Sequence, residues 1–597
     1  MSTEGPAVTI AGGGLSGLTA AMRLAQRGYQ VTLYEQKSWL GGNLGSRLMP
    51  DGEHLDVYPH MYLDWYANFW ALLQDATKQP KEAGFAPFSS VKQLSKREFP
   101  RFASLTDMYS PWHMIQNMFS GVGPPADMFV FGYASIDLLA ERFNPTITLD
   151  NVDVNAFLNT RPYMTSAASA AFDSFITRVW AIPSYLASAP DFRRYLAYSV
   201  LNPDPAFWLP TGSAFTRVID PLVKAIEGLG VTIVTSTEIT GVSCADKRVT
   251  EIGLRGTTFD EDSGTWTPVP GSDRIEPVDN LLLAVPAATL SRLVRTPVAP
   301  GQPTVVEEAP DIAGIVRLRA TQVPIIYLFF KHKLQGIPKE PVGLFGSELS
   351  LAFTDISQTW ENVPELEGRT VLAVSSSDTS GLPGTTSFAD AQAILQELAE
   401  FLPFRPGTRW GESPDIDWAH TRYEANADSQ LFINETGTDA WRPDASSSHI
   451  SNIYLAGDFC NNNIGMTTIE SAVTTGLQAA KVIVRRNRYG EPVKIIPPPR
   501  NLLFDLGYVW LRYAWAPYVA AASVWSHAWS FVTDGCRHRG RGGLPWLPAP
   551  GGRVPGLTWA KRPGGGGGSG GASGGDGAED GNGSAGEDRS QGRRWFS

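Results

Sequence analysis

Gly12, Gly14 and Gly17 stand in the spacing G-x-G-x-x-G between a short apolar run, Ala7–Ala11, and an amphipathic stretch, residues 18–27, whose apolar residues recur at helical intervals. A strand, a glycine turn and a helix in that order bring backbone amides at a helix N-terminus up to a pyrophosphate. Gly28 ends the helix, and YQVTLYE alternates into a second strand that finishes on Glu35, where an acid can accept bonds from ribose hydroxyls. Ala21, one turn into the helix, allows close packing on the sheet. Far along the chain, NIYLAGD (residues 452–458) reads as a buried strand running into Gly457 and Asp458. Thr467 or Thr468 can cap the helix that follows, whose first amides lie around Ile469 and Glu470. The spacing thus predicts a dinucleotide site at the extreme N-terminus.

The elements that must position these residues are scattered. The 597-residue length exceeds what one hydrophobic core usually organises, so at least two domains are expected. Residues 61–205 carry aromatics and helical periodicity and read as a mainly helical domain. FTRVIDPLVKAIEGLG predicts a helix started or kinked at Pro221, VTIVTSTEITGV a strand pair, and LLLAVP (residues 281–286) a buried strand. Four short apolar segments in residues 325–376 predict a mixed or antiparallel sheet flooring a cavity, and residues 388–402 an amphipathic helix. A formal charge of −11 excludes general affinity for nucleic-acid backbones. Cys244, Cys460 and Cys536 have neither metal spacing nor the pairing of a secreted scaffold, which points to a cytoplasmic chain without a metal site. The apolar N-terminal stretch lacks a basic leader and is broken by glycines, so it is read as fold rather than signal peptide.

The sequence following Glu35, QKSWLGGNLGS, resembles the second glycine motif of the FAD-dependent amine oxidase and phytoene desaturase superfamily, with Gly41 and Gly42 as its pair and Ser46 in place. Asn43 stands where that motif usually has Arg, so a charged contact to the cofactor is missing. NIYLAGDFCNNNIGMTTIESAVTTGLQAAKVIV resembles the superfamily's C-terminal FAD segment, and the strand around Glu238 and Ile239 the one whose backbone clasps the adenine. The resemblance, spanning about residues 7–484, implies non-covalent FAD held by Gly12, Gly14, Gly17, Glu35, Gly41, Gly42, Asn43, Ile239, Gly457, Asp458, Thr468 and Ile469. It also implies the fold class: α/β, with a Rossmann-like FAD-binding domain of glutathione-reductase type, discontinuous in sequence and interleaved with an α+β substrate domain. The FAD parts are expected at 1–60, 206–290 and 446–500, and the substrate parts at 61–205 and 291–445.

DVYPHMYLDWY (residues 56–66) resembles a segment of phytoene desaturases and hydroxysqualene dehydroxylases, and IIYLFFKHKLQG the strands of plant-type carotene desaturases. The implied activity is hydride transfer from a lipophilic, isoprenoid-like substrate, with His60 as candidate proton carrier and a quinone or O2 as electron acceptor. Trp65, Phe69, Trp70, Met108, Trp112, Met118 and Phe129 are candidates for a tunnel lining, and Tyr423 and Trp441 for flavin-face aromatics, with core packing the favoured alternative for both sets. Two alternatives stay open: a flavin amine oxidase with Lys331 near the flavin, and a flavin-bound membrane-associated protein without turnover. Residues 501–534, rich in Trp and Tyr but interrupted by Asp505, Arg512 and Pro517, are expected as helices lying on the inner face of a membrane rather than crossing it. The Gly-rich residues 535–597 are expected to form a disordered tail.

Overall fold

A five-stranded parallel sheet is assembled from Thr232–Val234, Gln30–Tyr34, Ala7–Ala11, Leu281–Leu283 and Ile453–Leu455, in that spatial order. Its strands are near-continuous apolar runs because both faces are covered. On one face lie the helices Leu15–Ala25 and Ile469–Asn487, packed against each other; on the other an antiparallel meander, Thr237–Ala245, Arg248–Asp260 and Arg274–Pro277, shares a core with Ala11, Tyr34 and Leu283. The computed structural model describes residues 5–537 apart from 50, 51, 53, 107–110, 144–148, 150, 202–203 and 261–264. The expected tail beyond 537 and the tunnel residue Met108 therefore lie outside the described residues.

A second, seven-stranded sheet runs Arg422–Glu424, Ile325–Phe329, Val371–Ser376, Leu351–Asp355, Val342–Phe345, Ser90–Ser95 and Ala103–Thr106. It is mixed: Val342–Phe345 pairs parallel with Ser90–Ser95 and the other pairs are antiparallel. Residues 61–205 are thus not helical throughout, since they supply two strands here and two more, Tyr62–Leu63 and Phe85–Phe88, which pair with Phe207–Pro210 just beyond. The α-helix Asp220–Glu227 starts with Pro221 in its first turn, and one π-helical turn, Phe215–Ile219, precedes it. The chain's last described element is one 36-residue helix, Leu502–Arg537, where more than one helix was expected. It runs antiparallel along Pro125–Ala140, with Arg142 paired to Asp505, Arg512 Nε 2.7 Å from Asp137 and Ser526 Oγ 2.6 Å from Asp127. Pro517 leaves a carbonyl of the preceding turn without its helical donor. Beside that turn, the Tyr133 hydroxyl donates to the Arg512 carbonyl at 2.8 Å.

Candidate cofactor site and apolar cavity

Gly12 adopts φ +102°, and a Cβ there would lie 2.3 Å from the Ala284 carbonyl oxygen. At Gly17 a Cβ would lie 2.0 Å from the Gly12 carbonyl, so both positions demand glycine to fold the turn. Gly14 differs. A Cβ there meets only Gly42 Cα, at 3.9 Å, so the glycine keeps space open in front of the first helix, whose N-terminal amides have no side-chain cap. The Gly41 amide donates to the Gly13 carbonyl at 2.8 Å, laying the second glycine motif beside the first. Gly41 and Gly42 make this turn with φ +108° and +59°.

Glu35 is fixed by the Gly13 amide on Oε2 (2.7 Å) and the Lys37 amide on Oε1 (2.9 Å), while burial pushes its pKa up against those bonds. A carboxylate bound at one lone pair per oxygen still has acceptor capacity for ribose hydroxyls. The Thr237 amide donates to the Glu35 carbonyl at 2.9 Å, which sets the strand carrying buried Ile239 alongside the adenosine end.

Residues 424–430 cross the second glycine motif as a strap. Asn43 Nδ2 donates to the Gln430 carbonyl (3.0 Å), the Tyr58 hydroxyl to the Ser429 carbonyl (2.6 Å), and Arg47 pairs with Glu424 (2.6 Å) and Asp428 (3.2 Å). Lys37 joins the group 3.0 Å from Asp428. Arg47, four residues past Asn43, is a cation that motif reading passed over. So is the role of Asp56: its carboxylate accepts from Ser46 Oγ (2.7 Å) and the Ala214 amide (2.8 Å), and Ser46 Oγ accepts from the Phe215 amide. Burial raises Asp56 to about 7.

At the other end of the site, Asp458 is half-buried at the close of its strand, with desolvation raising it to about 6 against the pull of nearby Arg442. A Cβ on Gly457 would lie 2.4 Å from the Phe459 ring, so glycine is required there too. Thr468 is the N-cap of the helix Ile469–Asn487, accepting from the Ser471 amide at 3.0 Å, and leaves the Ile469 and Glu470 amides at the helix mouth. The Glu470 side chain faces away. It accepts from the Asn68 and Phe69 amides, both 2.9 Å, and so caps the helix Ala67–Thr77.

These residues fit FAD. Gly14 keeps a cradle that a larger side chain would fill, two helix N-termini offer amides, Asp458 has acceptor capacity, and the buried Thr467 hydroxyl has no hydrogen-bond partner. His60 is partly buried with Nδ1 2.8 Å from the Tyr58 carbonyl, and desolvation holds its imidazole down to about 4. Since a carbonyl only accepts, Nδ1 carries the proton and Nε2 keeps its lone pair.

Several expected residues are elsewhere. Tyr423 pairs in register with Ile326, on the sheet face that packs with Trp410 and the helix Ser387–Leu398, opposite to the face carrying Tyr327 towards Asp56. Trp441 is a surface residue under the Arg317 guanidinium. Lys331 Nζ donates to the Pro414 carbonyl on an exposed turn, away from both glycine motifs. Trp65, Phe69 and Trp70 pack with Tyr62 in the core against the cofactor sheet, Trp112 is exposed, and Phe129 stacks on Trp515. None of them, nor Met118, lines the apolar cavity that the structure contains.

That cavity, of about 400 Å³, lies between the helices Pro125–Ala140, Ser166–Trp180, Ala189–Ser199 and the first half of the C-terminal helix. Met114, Phe131, Phe172, Phe192, Leu196 and Trp515 form its walls, and no charged side chain among the described residues lines it. The helix Ala189–Ser199 links it to the cofactor segment, because Tyr198 donates to the Ile464 carbonyl (3.3 Å) in the loop before Thr467.

Comparison with known proteins follows the same division. Residues 10–76 match the model of an NAD(P)-binding Rossmann-like domain, and residues 211–484 that of the flavin containing amine oxidoreductases. A carotenoid phi-ring synthase of Streptomyces griseus is 24% identical over 516 residues, covering 81% of this chain and 88% of the relative. A probable zeta-carotene desaturase of Synechococcus elongatus is 40% identical over 67 residues only, so the chain spans 14% of that relative's length. Among solved structures, an oxidoreductase from Methanosarcina mazei (TM-score 0.55, 15% identity, 79% of this chain and 99% of that one) and a cyclohexylamine oxidase from Brevibacterium oxydans (TM-score 0.53, 14%, 81% and 100%) share the fold. The protein is an FAD-dependent oxidoreductase. Its sequence is similar to those of the flavin amine oxidase and carotenoid desaturase superfamily.

Proposed function

We propose that the protein removes hydride from an elongated, lipophilic, isoprenoid-like substrate that it takes from a membrane surface. The observation that carries this reading is the cavity of about 400 Å³, a size usual for small-molecule sites, walled by aromatic and aliphatic side chains and joined to the cofactor segment through the helix that carries Tyr198. The carotenoid-related names of the relatives support it, and the exposed position of Lys331 speaks against amine oxidation.

FAD, when bound, supplies the hydride acceptor. The chain's own contribution is to hold it through the glycine turn, Glu35, Asp458 and the helix mouth at Ile469, and to keep water from the reacting carbon with apolar walls. A proton must also leave the substrate. His60 Nε2 has the free lone pair to take it, and an imidazole held near 4 passes the proton on rather than keeping it. A quinone or O2 is the expected electron acceptor.

The C-terminal helix supports the membrane part. Asp505 and Arg512 turn inward to their partners, so Leu503 (79% exposed), Trp510 (67%), Tyr513, Trp525 and Phe531 (83%) form an outward apolar face without charge. Among the described residues no helix is long and apolar enough to cross a membrane, and a helix lying in the interface suits this pattern. Anaerobic mixing of the holoprotein with polyenes in liposomes, or with primary amines, tests the reaction. Bleaching of the flavin by a polyene alone is expected; bleaching by amines alone would establish an amine oxidase, and by neither a protein without turnover on these classes.

A further inference from the structure

A second pocket, of about 360 Å³, opens where the helix Ala189–Ser199, the loop of Asn461–Asn463 and the foot of the C-terminal helix meet. Arg142, Arg193, Arg194, Arg442 and Arg500 line it, against two lining carboxylates, Asp439 and Asp505. Arg194 and Arg442 share the buried Asp191, at 2.5 and 3.0 Å, and Asp505 is taken by Arg142. Arg193 and Arg500 have no ion-pair partner among the described residues. The buried Arg442 Nη1 has no hydrogen-bond partner either. The glycine motifs, Glu35 and Asp458 do not line this pocket, although Arg442 and the loop of Asn461–Asn463 join it to the segment that carries Asp458.

Crowding so many guanidinium groups costs energy unless an anion answers them. Burial and the neighbouring Arg194 and Arg142 already hold Arg193 below its ordinary value. The planar, multiply donating guanidinium matches phosphate oxygens, and Asn463 adds an amide. Position narrows the source of that phosphate. Arg500 is two residues before Leu502 and Leu503, where the outward apolar face begins, and Asn501 and Asp505 carry the pocket wall into the same helix. On a chain of net charge −11, a basic pocket at one end of an apolar face cannot be general attraction to an anionic bilayer. It has the placement of a local anchor.

We propose that this arginine pocket binds the phosphate of an anionic lipid headgroup while the apolar face of the C-terminal helix rests in the same leaflet. The inference builds on the membrane reading given under the proposed function, and its test separates the two. Full-length holoprotein is floated with vesicles of phosphatidylcholine alone and of equal parts phosphatidylcholine and phosphatidylglycerol, with flavin absorbance as the check on folding. Wild type should partition more onto the mixed vesicles. Arg193→Gln with Arg500→Gln should remove that preference, a loss on the order of tenfold for two interfacial arginines. Arg500→Gln alone, at an exposed position, should give a smaller loss even if the buried change disturbs folding. Arg405→Gln with Arg409→Gln, the same charge change on another surface, should keep the preference. Equal flotation on both vesicles would overturn the headgroup site while leaving the apolar face, and flotation on neither would overturn both. Equal flotation together with saturable thermal stabilisation by inorganic phosphate would reassign the pocket to a soluble phosphate.

Discussion

The cofactor side and the helical side of this molecule are held together by opposite means. Around the glycine turn, single atoms decide: Gly17 is 2.0 Å from a clash, Glu35 is fixed by two amides, and Glu470 spans to the start of another helix. Around the apolar cavity no residue type is required by backbone geometry, and walls such as Phe131, Phe172 and Leu196 need only be large and apolar. A site that binds a fixed cofactor is written as motif, whereas a site that binds hydrocarbon is written as composition and volume.

The comparison can be broken most sharply at its tightest point. Gly17→Val should leave no folded protein, because its side chain enters the Gly12 carbonyl. Gly14→Val should fold and lose FAD, because only cofactor space is filled; circular dichroism and flavin absorbance on both variants would show whether the two glycines divide in this way. Next comes Arg512→Ala, which removes one of the two guanidinium groups that pair with the buried carboxylates of Asp137 and Glu141. A loss of about 3 kcal/mol is expected. Limited proteolysis should release the C-terminal helix while flavin stays bound, and loss of flavin with the helix would mean that the two sides are coupled.

A third test uses pH on the FAD-free protein. His60 is held down to about 4, so between there and its ordinary 6.5 the folded chain binds fewer protons than the unfolded one and stability rises with pH. Asp458 is raised to about 6, so between 3.8 and there the sign is opposite and stability falls as pH rises. In urea titrations at several pH values, His60→Gln should lose the rising component and Asp458→Asn the falling one, each a change of at most about 3 kcal/mol. The smallest effect is expected at Trp510→Ser with Trp525→Ser: unfolding free energy should move by no more than about 0.5 kcal/mol, since both rings are exposed, while flotation on vesicles drops. A large stability loss would place those rings in a core.

The same contrast explains what could be read beforehand. The glycines, Glu35 and the Thr468 cap were legible because strand, turn and helix are local and their spacing is fixed by backbone geometry. Asp56 holding the Ala214 amide was not, since nothing near Asp56 announces a partner on a distant segment. For Tyr423 the core-packing reading holds through strand parity: one residue along the strand decides which face of the sheet a ring occupies, and the register with Ile326 puts it in the core. The tunnel aromatics failed because composition names candidates without choosing among them; Phe131 lines the cavity and Phe129 stacks on Trp515. Pro517 does not end the C-terminal helix: Leu502–Arg537 runs through it, packed along Pro125–Ala140, whose Tyr133 hydroxyl donates to the Arg512 carbonyl of the preceding turn.

The five-stranded sheet also sets an order of events during synthesis. Its central strand, Ala7–Ala11, is made before the other four, yet Thr9 must wait for Leu281, and Leu281 for Ile453. Until then the apolar edge of a half-built sheet is bare, a hazard for pairing with other chains. Contacts so distant along the chain make folding slow, and a nascent chain that has not yet made Asp458 cannot close the cradle. Flavin capture is therefore a late event, and the supply of free FAD should govern how much chain survives to the native state rather than how fast folding starts.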